Sequence, residues 1–379
     1  NAERTRLHNR QVVLGQIRQG TPLGRAQIAR ASGLSTQAVS NIISELEAEG
    51  LLQEAGRRIA GRGLPAVQYA LNPDGAHALG IEVRPDAVFA ALVDLGGTAR
   101  FTHRVALDRS DPDTVAQHVI ALRQMALKTA EKSADRLLGC GVVMPGPFGK
   151  TGLSQSGQSV LTGWSDVSPA GFFEDVLGVS VTVENDATAA AAAERVSGVA
   201  VDLETFCFLY FGAGLGLGVV AGGHLQRGAY GNAGEIGHMV ITPGGGNLES
   251  HVSRIAIRHH LAAAGVSVES GADLERLYRE KSRPLFAWLD SAQAPLSQAI
   301  GLVENLFDPE VVILGGALPD ILIDHLILSL DLPEGSVAAR LDRDRPRVQR
   351  GASGRFTAAL GGAALVLNDV FTPRIAAVA

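Results

Sequence analysis

Residues Phe206 to Gly223 carry no charged side chain, a run long enough to raise the question of a membrane span. Its middle reads Gly212-Ala-Gly-Leu-Gly-Leu-Gly218, with glycine at every second position. Each glycine costs a helix about 1 kcal/mol relative to alanine, so this spacing weakens any helix badly and suits strands around a tight turn. The stretch is therefore read as interior β-structure, not as a span. No leader pattern opens the chain, and a cytoplasmic location is expected.

At 379 residues the chain exceeds one ordinary core, and two or three domains are expected. Its two cysteines, Cys140 and Cys207, each sit in an apolar run, so neither a disulfide framework nor a thiolate metal cluster is available. Charge is unevenly shared. Residues 1–71 hold nine Arg, five Glu and no Lys or Asp, a balance of +4 against -6 for the whole chain, which leaves -10 to the rest. A basic module on an acidic body fits DNA binding by the small part alone.

The small part has the pattern for it. Leu7, Val12, Val13, Leu14 and Ile17 recur at helical spacing, and Gly20-Thr-Pro22 ends that helix. A second helix is predicted from about Gly24 to Ala31, a turn at Ser32-Gly33-Leu34, and a third helix from an N-cap at Ser35 to about Glu49. Val39, Ile42, Ile43 and Leu46 mark the buried face of the third helix. Leu51 to Leu71 then reads as a β-wing around Gly56 to Pro65, and Asn72-Pro-Asp-Gly75 as the turn that separates residues 1–72 from 73–379. In a winged helix-turn-helix the N-terminal residues of the third helix meet base edges, which here are Ser35, Thr36, Gln37, Ser40 and Asn41. Arg57, Arg58 and Arg62 in the wing are placed for phosphate or minor-groove contact. A hairpin used only for dimerisation would have no need of so polar and uncharged a front.

Beyond residue 72, strands are predicted at Ala78–Val83, Ala87–Val93 and Ala99–Leu107, a helix from Pro112 to about Ser133, and strands at Leu138–Met144 and Val179–Glu184. Phe206–Val220 and Val311–Leu314 repeat the strand theme, each followed by glycines. The order argues for an α/β body of two lobes with a cleft. Asn185 and Asp186 end a strand and precede a helix of small residues, where a carboxylate can hold a sugar hydroxyl or take its proton. Glu235, His238 and Glu249 are further polar groups able to converge on a ring of hydroxyls.

From His8 to about Gly362 the chain resembles the ROK family of repressors, open reading frames and sugar kinases. The resemblance is carried by Arg25 to Leu52, Gly80 to Asp94, Met144-Pro-Gly-Pro147, Gly163-Trp164, Val183-Glu-Asn-Asp-Ala187, Gly212 to Gly218, Arg227-Gly228, Gly231 to His238 and Ile313-Leu-Gly-Gly-Ala317. It implies an α/β architecture: an N-terminal winged helix-turn-helix followed by a two-lobed actin-like/sugar-kinase (ribonuclease H-like) ATPase fold. It also implies that Asn185, Asp186, Glu235, His238 and Glu249 bind a sugar, with Asp186 at the place of the kinases' catalytic base.

Two departures bear on activity. Family kinases have an Asp-x-Gly-Gly-Thr phosphate loop after the first strand of the body, where this chain has Glu82-Val-Arg-Pro-Asp86. Pro85 lacks an N–H and Asp86 adds negative charge, so ATP is expected to bind poorly and Asp186 to be a vestigial base. Asp94-Leu-Gly-Gly-Thr98 spells the kinase loop but follows the second strand, and is read as the hairpin turn into the third. The family's structural zinc uses a histidine and three cysteines, whereas the segment from Ile241 to Glu249 holds no cysteine; neither a metal nor a cofactor is expected.

The expected function is a sugar-responsive transcriptional regulator, most simply a repressor. Its expected partners are operator DNA with an inverted repeat and a monosaccharide or sugar-derived effector, in a homodimer or dimer of dimers with no membrane association. An ATP-dependent sugar kinase with an appended DNA-binding domain is the alternative, and a wing that contacts a transporter or enzyme is a third.

Overall fold

The computed structural model describes residues 2–18, 21–58, 65–131, 134–146, 161–164, 166–241, 245–352 and 354–372. Arg62, expected in the wing, lies outside the described residues.

Three helices open the chain: α1 (Ala2–Ile17), α2 (Arg25–Ser32) and α3 (Thr36–Ala48). Gly33 takes φ 70°, the left-handed turn that lets α3 leave α2, and Ser35 caps α3 by accepting the Ala38 N–H at 3.2 Å. Val39, Ile42, Ile43 and Leu46 are buried against Val13, Leu14, Ile17 and Ile28. Leu7 departs from the expected buried face of α1: it is 55% exposed, because the N-terminal half of α1 overhangs a cavity instead of packing into the core. A three-stranded antiparallel sheet follows in the order β1 (Leu23–Gly24), β3 (Ala66–Leu71), β2 (Leu52–Arg58). Gly56 lies within β2, at φ 95°, where the register shifts between Glu54 and Arg57; it makes a bulge in the strand, not the turn at its tip.

The body has two sheets with the same strand order and polarity. The first runs β6 (Ala99–Ala106), β5 (Ala87–Asp94), β4 (His77–Arg84), β7 (Leu137–Val143), β8 (Val181–Glu184), antiparallel as far as β4 and parallel beyond it. The second runs β11 (His224–Leu225), β10 (Leu215–Ala221), β9 (Phe206–Phe211), β12 (Val311–Gly316), β13 (Val348–Arg350), with the same change at β9. Helices α4 (Pro112–Thr129) and α5 (Pro169–Leu177) cover one face of the first sheet. One face of the second is covered by α7 (Leu248–His251), α8 (Arg254–Ala263), α9 (Gly271–Arg279), α10 (Arg283–Phe307) and α11 (Asp320–Ser329). Between the sheets lie α6 (Asp186–Ser197) and the C-terminal helix α12 (Thr357–Phe371). No described helix is long and apolar enough to cross a membrane.

Small residues let these two helices come close. A Cβ on Gly361 would run into the carbonyl of Ala189, one on Gly80 into that of Ala359, and one on Gly141 into that of Gly362. The glycine ladder does the same for the second sheet: Cβ atoms on Gly216 and Gly218 would collide with Ala187. At its C-terminal end α12 leaves the body and packs on α1, with Leu367 and Phe371 in one buried cluster with Leu14 and Ile17. Gln11 donates to the Asp369 carbonyl at 2.8 Å, and the Arg18 guanidinium lies over the Phe371 ring. The three N-terminal helices therefore share their core with the body.

Gly80→Ala should cost about 2 kcal/mol or more, because backbone must move to admit the methyl group. Gly171→Ala, in α5 with nothing within 4 Å, should stabilise by about 0.5–1 kcal/mol. Urea unfolding of the two variants checks the contrast.

Candidate functional site

Asn185 is the N-cap of α6: its Oδ1 accepts the Thr188 N–H at 2.7 Å, which leaves its NH2 as the group available to a ligand. Its own N–H donates to Glu184 at 3.0 Å, and buried Glu184 is ion-paired with Arg227 at 2.5 Å. Asp186 begins the helix, with Oδ1 accepting the Ala187 N–H at 2.9 Å. A Cβ on Gly212 would lie 2.7 Å from Asp186 Oδ2, so the first rung of the glycine ladder leaves room for the carboxylate.

The segment before His238 is tied to β10. Gly234, at φ 90°, accepts the Leu217 N–H at 2.8 Å, and a Cβ there would strike the Leu217 carbonyl. That attachment delivers Glu235 and the single 3-10 turn Ile236–His238 to the cleft. His238 Nε2 stands 3.6 Å from Glu235 Oε2, and its Nδ1 4.0 Å from Glu249 Oε1. Glu249 Oε2 faces Gly214 and Gly237, whose Cβ atoms would lie 2.5 and 3.2 Å away. Across the cleft, a Cβ on Gly146 would meet Glu235 Oε1 at 3.0 Å and the Asn185 side chain at 3.9 Å. Asn185, Asp186, Glu235, His238 and Glu249 thus converge, with Gly146 and Gly212 to Gly214 as the close-fitting walls. The sequence marked these glycines as motif letters; what they give way to is visible only in three dimensions.

Beside the turn between β4 and β5, strand side chains are committed to one another. Arg84 pairs with buried Glu82 through two hydrogen bonds of 2.5 and 3.0 Å and lies over the Phe89 ring, 4.3 Å from its centroid. Pro85 and Asp86 form the tip, and Asp86 faces Arg104 at 3.8 Å. Tyr210 and Arg254, neither of them singled out by sequence, complete this polar cluster beside Asp186. Asp94-Leu-Gly-Gly-Thr98 forms the β5–β6 hairpin turn: Gly97 is at φ 91°, and Asp94 accepts the Thr98 N–H at 2.9 Å and an Arg100 hydrogen bond at 2.6 Å. The residues present do not fit the zinc that the resemblance implies. Cys140 and Cys207 are buried in β7 and β9, and His251 Nε2 is already engaged with the Gly245 carbonyl at 2.5 Å.

In the N-terminal unit, Ser35, Thr36, Gln37 and Asn41 are exposed and Ser40 half-buried along one end of α3. Gln37 donates to Asn41 at 3.0 Å, so the two amides hold each other in place. Arg57 and Arg58 are exposed on β2.

Burial pushes the Asp186 carboxyl up to about 6, against opposing help from the Ala187 N–H and Arg84. Glu235 is also raised, first by burial and then by Glu249 against the pull of His238. For an acid whose folded value is raised, stability is lost as pH climbs from the unfolded value near 4 and the loss is complete above about 6. Asp186→Asn should therefore stabilise the protein by about 1–2 kcal/mol at pH 7.5 and by almost nothing near pH 4, after allowance for the group's partial contact with solvent. Thermal unfolding across that range checks the slope.

Residues 78–369 match the ROK family. The xylose repressor of Bacillus spizizenii is 28% identical over 237 residues, 62% of this chain and 60% of the relative, so the match spans less than two thirds of that protein's length. A solved ROK family transcriptional regulator, described as a homologue of the E. coli MLC protein, superposes with a TM-score of 0.75 over 97% of both chains at 24% identity. The ROK hexokinase of Thermus thermophilus superposes with a TM-score of 0.59 over 76% of this chain and 97% of its own, also at 24% identity. The matched stretch takes in both sheets, both hairpin turns and every carboxylate of the cleft, and the chain belongs to the ROK family.

Proposed function

We propose that this protein is a sugar-responsive transcriptional repressor: a winged helix-turn-helix carried on a sugar-kinase fold that senses a monosaccharide and no longer phosphorylates it. The observation that carries this reading is the pairing of five converging polar groups with a neighbouring hairpin closed by Arg84 and Glu82. Carboxylates, an imidazole and an amide suit a ring of hydroxyls. A phosphate loop needs free backbone N–H groups, and here Pro85 has none while Arg84 beside the turn is committed to Glu82. The repressor names of relatives agree with this reading. D-xylose is the first sugar to try.

On this reading α3 lies in the major groove, with Gln37 and Asn41 reading bases and Arg57, Arg58 and Arg62 of the wing on phosphates or the minor groove. One such unit reads few bases, so a two-fold dimer on an inverted repeat is the working species. Sugar closure of the cleft shifts the balance between DNA-competent and DNA-incompetent arrangements.

Gln37→Ala should relax base preference at one operator position by about 1–3 kcal/mol, read by competition among operator variants. Arg57→Ala should weaken binding to all sequences and flatten the salt dependence; an unaltered slope would take the wing off the DNA. Asp186→Ala should abolish the sugar response of DNA binding and leave sugar-free operator binding intact. Wild-type protein given ATP, magnesium and the sugar that binds it should form no sugar phosphate above background. Turnover on the order of 1 per second would favour the kinase alternative, with Asp186 as general base.

A further inference from the structure

Strands β4 and β7 are parallel neighbours that start at the N-terminal unit and finish at the cleft. At the starting end, His77 of β4 pairs with Leu137 of β7; at the finishing end, Glu82 pairs with Val143. Immediately before β7, Arg136 Nη1 donates to the Glu49 carbonyl at 2.6 Å and to the Gly75 carbonyl at 3.3 Å. Glu49 is the C-cap of α3, so the guanidinium satisfies an orphan carbonyl at the negative end of the helix dipole. Gly75 belongs to the turn that leads into β4. One side chain thus joins the end of α3 to the beginnings of both strands.

The other end of β7 runs into the polar cluster. Val143 pairs with Glu184, the Met144 N–H donates to the Glu184 carbonyl at 3.1 Å, and Gly146 then packs against Glu235 and Asn185. A strand of this length spans roughly 20–25 Å. Helix α12 packs closely on it at Gly141 and on β4 at Gly80. Beside Arg136 lies a cavity of about 630 Å³, lined by Leu7, Arg10, Leu14, Leu51, Leu138 and Val370. Close-packed interiors resist displacement, whereas an open groove next to a hydrogen-bonded clasp gives the end of α3 a place to move when the clasp opens.

Building on the proposed sugar-responsive DNA binding, we infer that Arg136 is the positioning residue that couples the two sites. Sugar seated against Gly146 and Asn185 displaces β7 along its length, and Arg136 makes or releases its hold on α3.

The test measures operator affinity by fluorescence anisotropy with and without the monosaccharide that most raises the melting temperature in a screen beginning with D-xylose. The operator is one selected from a random DNA pool by the wild-type protein. Wild type should change affinity about 5- to 150-fold with sugar, and Arg136→Ala less than about 2-fold. Sugar affinity and sugar-free operator affinity should stay within about 3-fold of wild type in that variant, and Arg136→Lys, which keeps the charge with three donors in place of five, should restore part of the response. A sugar-dependent change as large in Arg136→Ala as in wild type overturns the inference while leaving the proposed function standing. Equal loss of affinity with and without sugar overturns it too, since that is what a purely structural clamp would do. If Arg136→Ala melts below the assay temperature, Arg136→Lys and Arg136→Gln carry the same comparison. Failure of wild type to bind any selected DNA or any sugar would sink the functional reading itself and the coupling with it.

Discussion

The crossing of α6 and α12 is the contact on which the rest of the molecule depends. Two sheets of like topology can share one pair of helices only if those helices touch backbone to backbone, and Gly361 against the Ala189 carbonyl achieves that. Each helix also serves a sheet: α12 lies on Gly80 and Gly141 of the first, α6 on Gly216 and Gly218 of the second. Because α6 begins at Asp186, the same packing that joins the lobes fixes the first carboxylate of the cleft. Structure and site are set by one set of glycines and alanines, so neither can drift without the other.

The chemistry of the cleft follows from what that packing buries. Asp186 sits where desolvation raises its pKa and where Arg84 offsets only part of the penalty. A carboxylate in that state gains from a hydroxyl donor, because a hydrogen bond to the charged form returns some of the lost solvation. Glu235 stands in the same position, with His238 between it and Glu249. Arg84 is committed by its two hydrogen bonds to buried Glu82, and breaking them would leave a buried carboxylate unpaired. That energetic cost opposes turning Arg84 toward an anion at this hairpin.

Much of this was legible in the chain itself where the signal is local. The turn at Gly33, the cap at Ser35, the buried face of α3 and the strands around the glycine ladder are consequences of single residues or short periods. The hairpin role of Asp94 to Thr98 followed from counting strands. What escaped notice was non-local. Helix α12 is small and apolar on all sides, because sheets, α6 and α1 surround it, so no amphipathic stripe announces it. Strand β1 is two residues long, too short for any pattern. The repeated strand order leaves no sequence repeat, since the same topology is built from unrelated side chains. Among the polar residues, Asn185, Asp186, Glu235, His238 and Glu249 are recognisable as motif letters, whereas Tyr210 and Arg254 acquire meaning only from their neighbours, and so do the pairings of Arg84 with Glu82 and of Arg227 with Glu184.

Joining the N-terminal unit to the body through a common core also changes what a ligand of the cleft must do. With a flexible tether, ligand closure in the body would leave α3 untouched, and coupling would have to run through a second subunit. Here Val93, Leu95, Leu367 and Phe371 of the body are in one cluster with Leu14, Ile17 and Leu46. The unit cannot swing freely, and any rearrangement of the lobes is felt at its base. A ligand shifts such a balance only by its differential affinity for the two arrangements, so a hundredfold change needs about 3 kcal/mol. The two Arg136 hydrogen bonds sit at the junction of unit and body and tie the amino ends of β4 and β7 to the end of α3, at the opposite ends of the strands from the cleft.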